Sequence, residues 1–128
     1  MPDPAIWHAM GLKKITAMVQ EVYLNLGRSP IAHLFPPDQT ELLAAATKSA
    51  LFWATVCGGP PLYEQQFGPP RMKARHLKFP IDEAARQSWL ACWEPVLAKA
   101  TQNYDFPAPH LEGFRTYLLD FSLWMVNS

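Results

Sequence analysis

Charge is scarce in this chain, and it is balanced. Only 17% of the 128 residues are charged, eleven basic against eleven acidic, so the formal net charge is zero. That balance argues against a nucleic-acid or anionic-membrane partner, either of which would select a basic excess. Cysteine is scarcer still. Cys57 and Cys92 lie on separate predicted helices without C-x-x-C spacing, which speaks against a disulfide or a zinc site and for two buried thiols. There is no glycine-rich phosphate loop, no internal repeat, no low-complexity tract and no strand-like alternation of length. No apolar run approaches a membrane span, because Lys48 and then Gly58-Gly59 interrupt the best candidate. The opening MPDPAIWHAMGLKK lacks the basic start and apolar run of a signal peptide. The chain reads as one soluble, cytoplasmic domain over 1–128, long enough to bury most of its apolar surface.

Apolar bulk is what the chain has in quantity. Hydrophobic residues make up 49%, with five Trp and seven Phe. That is more aromatic volume than so small a core needs, and it would suit a large flat apolar ligand; an aromatic-rich core explains composition alone slightly better.

Four helical patterns follow in order. Leu12, Ile15, Val19, Val22 and Leu26 form a stripe ended by Gly27 as a C-terminal glycine, with Tyr23 at its edge. Asp38-Gln39-Thr40-Glu41 has the form of a capping box and opens a helix that runs to Cys57. One face of that helix carries Leu42, Ala45, Ser49, Phe52 and Val56. The small residues there either leave space or permit close helix packing. Asp82 caps a third pattern through Ala85, Trp89, Cys92, Val96 and Ala100, which Pro95 should kink or split. The last helix, from Pro109 to about Val126, has the cleanest stripe: Leu111, Phe114, Leu118, Phe121 and Met125.

The stretch 58–89 follows no such period. Two glycines and a proline-rich run lead to one histidine, His76, with Phe79-Pro80 after it and Arg71, Lys73 and Arg75 just before. Chain so poor in apolar spacing forms no core element by itself; its task is to hold His76 against something else.

Gly58-Gly59-Pro60-Pro61-Leu62-Tyr63, Arg75-His76-Leu77, Phe79-Pro80-Ile81 and Trp89-Leu90-x-Cys92 together resemble the signature of the truncated haemoglobins, specifically their second group. The resemblance extends over nearly the whole chain. It implies an all-α truncated globin fold, a two-over-two helical sandwich around haem b, with His76 as the metal ligand. It further implies cofactor contacts from Phe35 (packed flat), Lys48, Phe52, Met72, Arg75, Leu77, Phe79 and Trp89. Tyr23, Ala45, Ser49 and Trp89 would line the distal, ligand-binding side. Lys48 is the better partner for the propionates, Arg75 the other; Arg71 and Lys73 read equally well as a solvated run. His33, on a short turn, reads as a surface histidine. Two departures occur. Gly68-Pro69-Pro70 replaces the usual Gly-His-Pro, which bears on loop packing, and the glycine pair before the second helix is reduced to Met10-Gly11.

Such a protein would bind oxygen or another diatomic (nitric oxide, carbon monoxide), with Tyr23 and Trp89 as donors for high-affinity capture. The rival expectation is a redox enzyme on the same haem, a nitric oxide dioxygenase or peroxidase-like, cycled by a reductase. Monomer and homodimer both stay open.

Overall fold

In the computed structural model, which describes residues 2–128, all the regular structure is helical. The first helix, α1 (Ala5–Leu26), is two segments joined at Gly11, whose φ of 70° and ψ of 173° break the helical ladder. Glycine adopts that conformation without the Cβ penalty, so the Met10-Gly11 departure gives a bend here. The break also resets the register. Leu12, expected on the buried stripe, is 37% exposed, and Met18 joins Ile15, Val19, Val22 and Leu26 in the core instead. Gly27 ends the helix with right-handed φ, not as a left-handed cap; a Cβ there would lie 2.9 Å from the Leu42 side chain. Close approach selects that glycine.

Helix α2 (Gln39–Val56) opens as its sequence dictates: Asp38 Oδ2 accepts from the Glu41 amide at 3.0 Å. Its buried face is Leu42, Ala46, Ala50, Trp53 and Ala54, packed on α1. Ala45, Ser49 and Phe52 fall on the neighbouring face and are only half-buried. The small Ala46, Ala50 and Ala54 serve close helix packing, whereas Ala45 and Ser49 leave space. Both readings of the small residues hold, on adjacent faces.

The helix ends in a corner. Gly58 takes a φ of 91°, and a Cβ there would collide with Pro4, while one at Gly59 would lie 2.6 Å from the Trp7 ring. The Trp7 amide donates to the Cys57 carbonyl at 3.1 Å. The double glycine thus stops α2 and also lets the start of α1 seat on its end.

Beyond the corner come two short helices, α3 (Leu62–Phe67) and α4 (Met72–Arg75), joined by irregular chain. Regular packing resumes at α5 (Glu83–Ala98), where Asp82 Oδ1 accepts from the Ala85 amide at 2.8 Å. Pro95 does not break α5. Its ring sits on the exposed face, and Cys92, Trp93, Val96 and Leu97 hold the helix to the core on either side of it. The break comes at Lys99 (φ −119°), before α6 (Ala100–Tyr104), so Ala100 belongs to the next helix. Pro109 lies in a 3-10 turn, Ala108–His110, and α7 runs from Leu111 to Met125 with Phe114, Leu118 and Met125 buried. Helix α1 packs on α2, α5 and α6, and α5 on α7. Cys57 and Cys92 are free and buried, and burial pushes the Cys57 thiol up to about 12. Among the described residues no helix is long and apolar enough to cross a membrane.

Candidate functional site

The helices do not close completely. Between α1, α2, α5, α7 and the segment 72–81, which is α4 and the irregular chain after it, lies a cavity of about 440 Å³. That size falls in the range of pockets that hold cofactors, roughly 300–1,000 Å³. Tyr23 enters from α1, Ala45, Ser49 and Phe52 from α2, and Trp89 from α5. Met72, His76, Phe79 and Ile81 line the part made by the segment 72–81. Lys48, Arg75, Lys78 and Arg86 bring cations to the same cavity.

His76 follows the last residue of α4, and its Nδ1–H donates to the Met72 carbonyl at 2.6 Å. A carbonyl can only accept, so this bond fixes the tautomer and leaves Nε2 as the bare nitrogen, the one able to bind a metal. Among the described residues Nε2 has no protein partner. His8 and His33 are exposed, and His110 sits 3.9 Å from Asp3. None of these three lines the cavity.

Facing the cavity from α1, α2 and α5, the uncharged polar groups include the Tyr23 and Ser49 hydroxyls and the Trp89 indole N–H. Tyr23 packs edge-on against Phe35, with ring centroids 5.6 Å apart. Burial raises its phenol pKa and the adjacent Ser49 side chain works against that rise. The hydroxyl therefore remains protonated and able to donate across the neutral range. Trp89, a donor only, is set among rings: Trp93 at 5.8 Å, Trp53 at 6.2 Å and Phe121 at 6.2 Å.

Of the expected site residues, Leu77 alone is not brought to the cavity. It lies past the end of α4 on the turn and is 63% exposed. Arg75 reaches the cavity, but its guanidinium is engaged. Nε donates to the Pro70 carbonyl at 2.6 Å, and an Nη group to those of Pro69 and Phe67 at 3.3 and 3.4 Å. The Gly68-Pro69-Pro70 departure thus presents carbonyls that Arg75 ties to α4. Arg71, with φ of 44°, makes the left-handed turn into α4. Lys48 Nζ lies 4.4 Å from the Phe67 ring centroid, a cation–π contact.

Sequence reasoning missed Trp53, Trp93, Ile81 and Met125 as lining residues. Trp53 and Trp93 follow Phe52 and Trp89 on their helices, and the core-face register would have found them. It also missed Asn127, whose side chain bonds the His76 carbonyl at 3.3 Å. No local pattern announces it.

Among the described residues no three His, Cys, Asp or Glu side chains converge as a metal site made of protein alone requires. A metal at His76 must therefore bring its other ligands with it, as haem does. An all-helical bundle around an apolar cavity with a single oriented histidine is the architecture of a globin.

The bacterial-like globin family matches residues 5–125. A group 2 truncated hemoglobin from Bacillus subtilis (YjbI) is 34% identical over 94 residues, covering 73% of this chain and 69% of that protein. Among solved structures, phosphate-bound Hell's gate globin IV superposes with a TM-score of 0.89 at 35% identity, covering 100% of this chain and 78% of that one. The truncated oxygen-avid haemoglobin of Bacillus subtilis gives 0.81 at 29%, covering 94% and 98%. The chain belongs to the bacterial-like globins and, within them, to the group 2 truncated haemoglobins. Haem binding and haem-based oxygen binding come with that family.

Proposed function

We propose that the cavity holds haem b through His76 and that the protein captures oxygen tightly, with Tyr23 and Trp89 donating to the bound diatomic. When bound, the haem would supply an iron that can take a protein nitrogen and a small diatomic ligand. The observation that carries this reading is the Nδ1–Met72 bond, which leaves one nitrogen of one histidine free in an apolar cavity. Phe35, Phe52, Met72 and Phe79 line the cavity and would hold the apolar macrocycle. Lys48 is the freer cation for the propionates, since Arg75 is occupied with carbonyls.

On the ligand side, Ala45 and Ser49 keep side-chain volume low, and the Tyr23 phenol stays protonated. A donor to a charged acceptor contributes about 1.5–3 kcal/mol, a tenfold to hundredfold gain in affinity. Trp89, tightly caged, loses little freedom in donating.

The test is the absorption spectrum of purified protein, ferric, ferrous and oxygenated, beside histidine variants. His76→Ala should lose most haem, or hold it in a form that imidazole rescues. His8→Ala, His33→Ala and His110→Ala should leave the spectrum unchanged. A normal histidine-ligated ferrous spectrum in His76→Ala overturns the assignment.

A further inference from the structure

Helix α7 ends at Met125, and Val126, in extended geometry, turns the chain back toward the segment that carries His76. Asn127 is half-buried there and makes four hydrogen bonds to three residues of that segment. Its backbone N–H donates to the Ile81 carbonyl at 2.9 Å, and its Oδ1 accepts from the Ile81 amide at 2.9 Å. Its Nδ2 donates to the carbonyls of His76 at 3.3 Å and Phe79 at 3.0 Å. The Ser128 amide adds a bond of 3.2 Å to the same Ile81 carbonyl. Residues 76, 79 and 81 belong to no helix, so these bonds satisfy backbone groups that secondary structure leaves open.

We infer that Asn127 is a positioning residue for His76: it fixes the backbone on the C-terminal side of the histidine and so sets how the imidazole is presented in the cavity. The inference rests on His76 being the haem ligand. The geometry fits one side chain. The pattern needs one acceptor toward the Ile81 amide and two donors toward carbonyls, which asparagine alone supplies at this length. Aspartate would aim a carboxylate at two carbonyl oxygens. Alanine would leave the Ile81 amide and the Phe79 carbonyl open and take one of two bonds from the His76 carbonyl, which also accepts from the Phe79 amide at 3.0 Å. On the other side of His76 the fixed points include its own Nδ1 and backbone N–H bonds to Met72, the Arg75 guanidinium on the proline loop, and Lys73 over the Trp124 ring of α7 at 5.7 Å. Helix α4, with four residues, is too short to hold itself. The orientation of the histidine is therefore set by tethers on its two sides, and Asn127 supplies the hydrogen bonds that reach it from the end of α7.

The experiment compares wild type, Asn127→Ala and Asn127→Asp as full chains, with His76→Ala as control. Two readouts separate the tether from its effect. The first is amide hydrogen exchange at Ile81, which tests the tether whatever ligates the iron; both variants should lose about tenfold protection, the worth of one or two hydrogen bonds. The second is the iron–histidine stretching band of the ferrous protein, which should shift or broaden in both variants, more in Asn127→Asp. Lowering the pH to protonate the carboxylate introduced by Asn127→Asp restores a donor and should move its band back toward wild type, which simple loss of stability would not do. Unchanged exchange at Ile81 overturns the tether. Faster exchange with an unaltered band overturns the positioning role. A band that persists in His76→Ala instead overturns the ligand assignment beneath the inference, and the inference with it.

Discussion

The cavity is made by two unlike materials. On one side stand α1, α2 and α5, long helices whose buried faces interlock through Ile15, Val22, Ala50, Trp53 and Trp93. On the other runs the arm of 60–82, two helical fragments and irregular chain, with Tyr63 its only fully buried residue. Tyr23, Ser49 and Trp89 take their places from burial. His76 takes its place from hydrogen bonds to carbonyls: Nδ1 to Met72, Arg75 to 67, 69 and 70, and Asn127 to 76 and 79. Burial is non-directional and gives a wall; hydrogen bonds are directional and can aim a single nitrogen. A globin needs both.

The contrast breaks most sharply at Trp53. It is 3% exposed and lies within 6.2 Å of six other aromatic rings. Trp53→Ala should cost about 3–5 kcal/mol in denaturant unfolding, as a large core truncation does. Arg75→Met, on the arm, should cost about 1 kcal/mol or less in the same assay, because its bonds are exposed. Its effect should appear instead as faster haem loss. Comparable unfolding costs for the two variants would erase the distinction.

Next in size come the donors. Tyr23→Phe and Trp89→Phe should each speed oxygen dissociation tenfold to a hundredfold by stopped flow, with carbon monoxide release changing less. The two act on one acceptor, so the double variant should show less than the product of the singles. Unchanged release in both single variants would mean that this wall supplies shape without hydrogen bonds.

The smallest effect tests a polar link inside the framework itself. Tyr104 donates a short hydrogen bond to Glu21, joining α6 to α1. Its pKa is raised from 10.0 to about 12, by burial first and then by the Glu21 carboxylate. A folded-state pKa above the unfolded one means that the folded chain holds this proton more tightly. The contribution is complete below about pH 10 and is lost as pH climbs to about 12. Tyr104→Phe should flatten that alkaline decline in melting temperature; an unaltered slope would place its origin elsewhere.

How legible each region is in the sequence follows from the same contrast. Helices advertise themselves by period and caps, so Asp38, Asp82 and the stripe of α7 are readable from sequence alone, whereas the buried face of α2 is Ala46, Ala50 and Trp53 rather than Ala45, Ser49 and Phe52. Misreadings fall where one residue resets a local rule: Gly11 turns Leu12 outward, and core contacts around Pro95 carry α5 through it. The arm is opaque to periodicity, and His76 is found there by resemblance to a family. The same resemblance assigns Leu77 to the cavity, and the end of α4 turns it to solvent instead. Asn127 lies 51 residues from His76, and a contact at that separation between two irregular segments leaves no trace in spacing.

The corner at Gly58 has a kinetic consequence. There the chain passes from the part held by burial to the part held by polar bonds, through one residue at φ 91° that only glycine takes up freely. Segments with few buried apolar contacts open at lower free energy than the core beside them. Opening of the arm about this corner is therefore expected at lower free energy than separation of the helices. The expected outcome is that the rate of haem uptake follows that local opening. Denaturant too dilute to unfold α1 and α2 should accordingly hasten haem uptake before it begins to abolish it.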